Sequence, residues 1–210
     1  MADYLDEDEQ IEVIKKWWEE NGKKLLIIMG VSLSFLAVFQ FFGNKKQAYI
    51  DESGSKYHEL INVDANSGNF NSLVNELKSD YPKSTYAHYA SMLAAKNAIN
   101  KEQFSKAEEA LTWVVDRSKD DVTVDLATMR LIQVKYTQKQ YDEALALIKK
   151  EDESIYSFKL YEIKGDILLA QNDQDAAIDA YKKAKEISQK GEVMSPLLDF
   201  KLLNLGVAVN

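Results

Sequence analysis

The stretch Gln174-Asp175-Ala176-Ala177-Ile178-Asp179-Ala180-Tyr181 decides the fold, because two other stretches share its pattern. Phe104-Ser105-Lys106-Ala107-Glu108-Glu109-Ala110-Leu111 and Tyr141-Asp142-Glu143-Ala144-Leu145-Ala146-Leu147-Ile148 align with it, alanine on alanine at 107, 144 and 177. The offsets of 37 and 33 residues bracket a repeat of about 34. A further helical segment precedes each copy, over Ser84–Ile99, Val122–Gln138 and Ser157–Gln171. Polar turns join each pair at Asn100-Lys101-Glu102, Lys139-Gln140 and Asn172-Asp173. One helical pair cannot bury its own apolar face, so a period of this length predicts a stack of pairs sharing a continuous core.

The pattern resembles the tetratricopeptide repeat, two antiparallel helices per unit. The third unit carries the resemblance best, with Tyr161, Gly165, Leu168, Ala177, Tyr181 and Ala184 at signature positions. Gly165 and Ala177 are small so that paired helices can approach, while Leu168 and Tyr181 fill the space between units. The first two units depart from it, with Ala95 and Ile132 at the glycine position and Ser91 and Thr128 at the large aromatic position. Upstream, Asn71–Ser79 reads as the second helix of a degenerate or capping unit, its apolar side formed by Phe70, Leu73, Val74 and Leu77. Downstream, Ser195-Pro196 is a helix start, serine capping and proline in the first turn. It opens an apolar segment with Leu197, Leu198, Phe200, Leu202, Leu203 and Leu205, read either as a closing cap on the stack or as a partner-binding helix.

Working outward to the N-terminus, Leu25–Asn44 reads LLIIMGVSLSFLAVFQFFGN without one charge. Its length at about 1.5 Å per residue matches the roughly 30 Å of bilayer hydrocarbon. A buried core helix is rarely apolar on every face. A cleaved signal peptide has a shorter apolar run and a small-x-small exit, whereas this run exits through Phe39-Gln40-Phe41-Phe42. A retained transmembrane anchor fits better. Lys15, Lys16, Lys23 and Lys24 precede the span against Lys45 and Lys46 after it, an asymmetry that places the N-terminus in the cytoplasm. The repeats would then lie in the periplasm of a Gram-negative cell. Before the span, Asp3 to Glu12 is an acidic stretch. Ile11, Ile14 and Trp18 at helical spacing, with Val13 and Trp17 beside them, predict a short amphipathic helix stopped by Asn21-Gly22. Trp17 and Trp18 read as interfacial anchors, or as a docking surface for a cytosolic partner. Gly30, Ser34 and Ala37 form a small-residue face that permits close packing of another membrane helix.

The expected fold is therefore all-α: a single N-terminal transmembrane helix followed by a tetratricopeptide-like α-solenoid. Its parts are a cytoplasmic acidic and amphipathic tail over 1–22, the membrane helix over 23–44, a helical stalk over 45–66, and the repeat domain with its capping helix over 67–210.

Composition narrows the function. The 210 residues carry 26 Lys plus Arg against 34 Asp plus Glu, a net charge of −8, which disfavours phosphate-driven nucleic-acid binding. With no cysteine there is no disulfide, thiolate metal site or thiol nucleophile. Two histidines, His58 and His88, cannot build a three-histidine metal centre, and eight glycines leave no phosphate-binding loop or dinucleotide fingerprint. No nucleophile elbow or HExxH pattern occurs. Carboxylate runs such as Asp120-Asp121 and Glu151-Asp152-Glu153 fall at inter-helix turns and read as solvated. No enzyme chemistry, cofactor or metal is expected.

What remains is a groove. In stacked helical pairs the first helix of each unit lines the concave face. The alanine register puts Tyr89, Met92 and Lys96 there from the first unit, Met129, Gln133 and Tyr136 from the second, and Lys159, Glu162 and Asp166 from the third. Methionine and tyrosine suit adaptable contacts with peptides, although Met92 and Met129 read equally well as packing residues.

Taken end to end, the chain resembles the YfgM-like family, the ancillary subunit of the SecYEG translocon. The resemblance rests on Glu7-Asp8-Glu9-Gln10, Ile14-Lys15-Lys16-Trp17-Trp18, Glu20-Asn21-Gly22-Lys23, one span, the repeats, and Pro196-Leu197-Leu198 with Lys201-Leu202-Leu203-Asn204-Leu205. It implies an inner-membrane protein with a periplasmic repeat domain, partnered by SecYEG and by the membrane-anchored chaperone PpiD; emerging secretory chains are a further partner expected of the groove. It also implies, for some members, a cytoplasmic tail tied to a stress-response regulator. A membrane tether that sequesters such a regulator, and a general envelope assembly platform, are the competing readings. No catalytic residues come with the family.

Overall fold

The computed structural model describes residues 7–149, 156–191 and 195–208. The start of the acidic stretch, before Glu7, and the Glu151-Asp152-Glu153 cluster lie outside the described residues. The described residues form nine α-helices and no strand: α1 Glu7–Asn62, α2 Gly68–Asp80, α3 Thr85–Asn100, α4 Phe104–Arg117, α5 Asp121–Thr137, α6 Tyr141–Ile148, α7 Ser157–Ala170, α8 Gln174–Lys190 and α9 Pro196–Asn204. The chain divides into two compact units, residues 1–52 and 53–210.

In the first unit α1 runs through Asn21-Gly22, where the sequence predicted a stop. Asn21 Nδ2 donates to the Trp17 carbonyl at 3.2 Å, a bond back into the helix. The Trp18 ring lies over Gly22, where an added Cβ would sit 3.0 Å from it, so the glycine is covered rather than used as a terminator. Ser32 and Ser34 likewise return their hydroxyls to the Ile28 and Gly30 carbonyls at 2.8 and 2.9 Å. Among the described residues this is one helix long and apolar enough to cross a membrane, and none of its apolar window is buried. A core helix would be buried.

The second unit stacks its helices in order, with α3 against α4, α5 against α6 and α7 against α8, and with α4 on α5, α6 on α7 and α8 on α9. Four helix starts, those of α2, α3, α5 and α8, carry side-chain caps. The Ser67 hydroxyl accepts from the Phe70 amide, the Ser84 hydroxyl from Tyr86, and the carboxylates of Asp120 and Asp173 from Thr123 and Ala176. At α9 the expected serine cap is absent: Ser195 stands at the N-cap position with no side-chain bond, and Pro196 alone sets the first turn.

The helix ends repeat too. Glu102, Lys139 and Asn172 all take the left-handed backbone, at φ 58°, 60° and 64°. Each closes the first helix of its pair the same way, Glu102 N–H to the Ile99 carbonyl and Gln103 N–H to Ala98, at 2.9 and 2.8 Å. Lys139 and Gln140 repeat those bonds to Tyr136 and Lys135, and Asn172 and Asp173 to Leu169 and Leu168. Gly206, at φ 78°, closes α9 with the same pair of bonds through Val207. Gly206 follows Asn172 by 34 residues, so α9 stands in register as the first helix of a further unit.

The core runs along the stack as successive clusters: Leu60, Phe70, Leu77 and Ala87; then Ala107, Leu111, Val114 and Ala127; then Ile132, Ala144, Ile163 and Ile167; then Ala177, Tyr181, Leu198 and Leu202. Where the first unit has Ser91 at the large aromatic position, the buried hydroxyl donates to the Ala110 carbonyl at 2.9 Å and ties α3 to α4. Thr128, at the matching position of the second unit, is buried with its hydroxyl unpartnered among the described residues.

Candidate functional site: a groove between first helices

A cavity of about 630 Å³ opens between α3 and α5, within the range of about 300–1,000 Å³ typical of ligand pockets. Helix α3 supplies Lys96 and Ile99, α5 supplies Met129, Arg130 and Gln133, and Phe104 and Leu111 of α4 form the floor. Repeat geometry creates the gap. First helices of adjacent units touch only lightly while each packs on its own second helix, so α4 is visible between them.

Of the nine expected groove residues, this cavity brings together Lys96, Met129 and Gln133. The others lie elsewhere. Met92 is buried, 6% exposed, among Ala95, Leu111 and Leu131, because the α3 face it occupies turns onto α4 and α5; it is a packing residue and its place in the groove is corrected here. Tyr89 is exposed and its ring lies tilted against Tyr57, centroids 6.2 Å apart, while Tyr86 lies 5.7 Å from Tyr57. Tyr136 pairs with Tyr141 at 6.1 Å.

Lys159, Glu162 and Asp166 belong to an ionic network that Lys201 of α9 completes. Lys201 Nζ donates to Glu162 Oε1 at 2.7 Å and to both Asp166 oxygens at 2.6 and 2.8 Å. Lys159 reaches Glu162 Oε2 at 2.9 Å, and the Tyr181 hydroxyl donates to Asp166 at 2.7 Å. Glu162 is 2% exposed, so it offers nothing to a partner, and its place on an open groove is likewise corrected. Burial works against its ionised form, but the bonds from Lys201 and Lys159 outweigh it and hold the carboxyl below the usual range. Burial also works against the Lys201 ammonium, and Asp166 and Glu162 overcome it, raising that group. Burial and then the Asp166 bond push the Tyr181 phenol far above its usual range. The third unit's concave face is thus neutralised from within.

Sequence reasoning missed Arg130 and Lys201. Arg130 had a signal, being one of two arginines in the chain and adjacent to Met129. Lys201 had none, since its partners lie 35 and 39 residues upstream. In the first unit, Gly30, Ser34, Ala37, Trp17 and Trp18 lie on the exposed surface of α1, the two tryptophans about half exposed. Among the described residues no cluster of His, Cys, Asp or Glu could hold a metal ion.

Comparison with known proteins adds a family. The tetratricopeptide repeat-like domain matches residues 15–207. A Neisseria gonorrhoeae protein named ancillary SecYEG translocon subunit is 28% identical, covering 98% of this chain and all of its own length. Proteins of the same name from Haemophilus influenzae and Escherichia coli K12 are 26% and 24% identical, covering 98% and 99% of this chain and all of theirs.

Proposed function

Since the chain belongs to the tetratricopeptide repeat-like domain family, we propose that it is a non-enzymatic, membrane-anchored ancillary subunit of the SecYEG translocon. One observation carries this reading: relatives of that name match the chain from end to end, so the likeness takes in the apolar helix as well as the repeats. The α1 segment Leu25–Asn44 anchors the protein in the inner membrane. Anchoring confines the repeats to the membrane surface and raises their effective concentration at the translocon exit. The lysine asymmetry around the span supports a cytoplasmic N-terminus and a periplasmic repeat domain. There the α3–α5 groove receives a partner, either a membrane-anchored chaperone of the PpiD type or an emerging secretory chain.

Affinity isolation of the tagged full chain in mild detergent tests the assignment. SecYEG subunits should co-isolate, and photoreactive residues placed at 30 or 34 should crosslink to a translocon subunit. Absence of SecYEG from the isolate, with only lipid crosslinked, would overturn it.

A further inference from the structure

The groove carries a charge pattern that names its occupant. Lys96 and Arg130 both line the cavity, and among the described residues neither makes an ion pair. The chain as a whole is acidic, with carboxylates outnumbering cations 34 to 26, and the cations of the neighbouring ionic networks are paired. Lys159 and Lys201 hold Glu162 and Asp166, and Lys135 holds Glu108 and Glu143 at 3.3 and 2.5 Å. One carboxylate, Glu102, also lines the cavity but pairs with neither cation. Ile99, Met129 and Phe104 give the same cavity its apolar lining.

Resting on the peptide-binding reading above, we infer that the α3–α5 groove takes a peptide segment in which an apolar side chain is flanked by side-chain carboxylates. The apolar side chain packs on Ile99, Met129 and Phe104 and loses water there. The carboxylates pair with Lys96 and with the fork of Arg130, whose planar guanidinium can bind both oxygens at once. A neutral apolar segment gains only the first term and leaves two cations without partners. A basic segment meets repulsion. The net charge of −8 disfavours an acidic segment elsewhere, so a groove that joins two cations to an apolar lining also biases where along the stack it settles.

The test uses the full chain in zwitterionic lipid nanodiscs, with empty nanodiscs as the blank. The probe is a fluorescein-labelled peptide, acetylated and amidated so that all carboxylates are side chains, with leucines set among aspartates and glutamates. Its twin replaces them with asparagine and glutamine. The acidic probe should bind about tenfold or more tighter than the twin. Lys96→Met and Arg130→Met should each cut that preference about threefold, and salt near 0.5 M should shrink it. Lys119→Met, an exposed change away from the cavity, should leave it intact. Equal binding of probe and twin, or an acidic preference that survives Lys96→Met/Arg130→Met, would overturn the inference. In either of those results, SecYEG co-isolation can still succeed, so the two readings fail separately. Unchanged thermal melting of the variants excludes unfolding as the cause of a loss.

Discussion

Gly165 sits beneath the ring of Tyr181, and an added Cβ would lie 2.4 Å from its Cε1. The ring cannot move away, because it is 1% exposed and its hydroxyl is tied to Asp166. Gly165→Ala should therefore cost about 2 kcal/mol by overpacking, read as a lowered urea midpoint of the detergent-solubilised chain. Gly165→Ala/Tyr181→Leu should regain part of the loss; no loss in the single variant would refute the contact. His88 makes a different demand. It is 4% exposed beside Trp113, ring centroids 5.7 Å apart, with Nε2 unpartnered among the described residues. Burial holds its imidazole below the ordinary value of 6.5, against the opposing effects of a backbone hydrogen bond at Pro82 and the Asp120 charge. The unfolded chain takes up a proton near 6.5 while the folded one resists, so this contribution is whole above pH 6.5. It is lost as pH falls from there toward the depressed folded value. The urea midpoint should drop over that window, above the range where carboxylates titrate, and His88→Gln should flatten the drop. An equal pH slope in both proteins would dismiss the imidazole as its source.

At the scale of elements, α9 shows how a short helix is fixed by neighbours. Its inner side buries Leu198 and Leu202 on α8, while Leu197, Phe200 and Leu203 remain exposed. Lys201 adds the bonds to Glu162 and Asp166, and Lys185 of α8 pairs with Asp199 at 3.1 Å. Lys201→Met would leave two carboxylates with diminished compensation, one of them almost fully buried. The expected cost is about 3 kcal/mol, the order found when one partner of a buried pair is removed. The companion Asp166→Asn/Lys201→Met should recover some of it by deleting one uncompensated charge. A single variant as stable as the parent would show that α9 is held by its leucines alone.

At the scale of the whole chain, the arrangement of cysteines gives a clean test of orientation, because the sequence has none. Lys119→Cys, exposed between α4 and α5, and Glu12→Cys, on α1 ahead of the apolar run, provide single labels. A membrane-impermeant maleimide added to intact spheroplasts should label the first and not the second. The opposite pattern would reverse the proposed topology. Much of the architecture was legible beforehand: the alanines at 107, 144 and 177 mark the repeats, and the charge-free run marks the helix whose window stays unburied. Both are local periodicities, set by which residues can face a core or a bilayer, and a sequence displays such spacing directly. The stop at Asn21-Gly22 was misread because a helix can continue through that pair when Trp18 covers the glycine, a contact between side chain and backbone that propensity does not encode. The groove was legible only in part, three of nine expected residues lining the cavity. Register named Lys96, Met129 and Gln133, but the tertiary packing alone turned Met92 inward and sank Glu162 under Lys201. It alone left Lys96 and Arg130 without an ion pair among the described residues. Partners that sit 35 or more residues apart meet only after helices stack, so which charges are cancelled is decided by the fold and not by spacing along the chain.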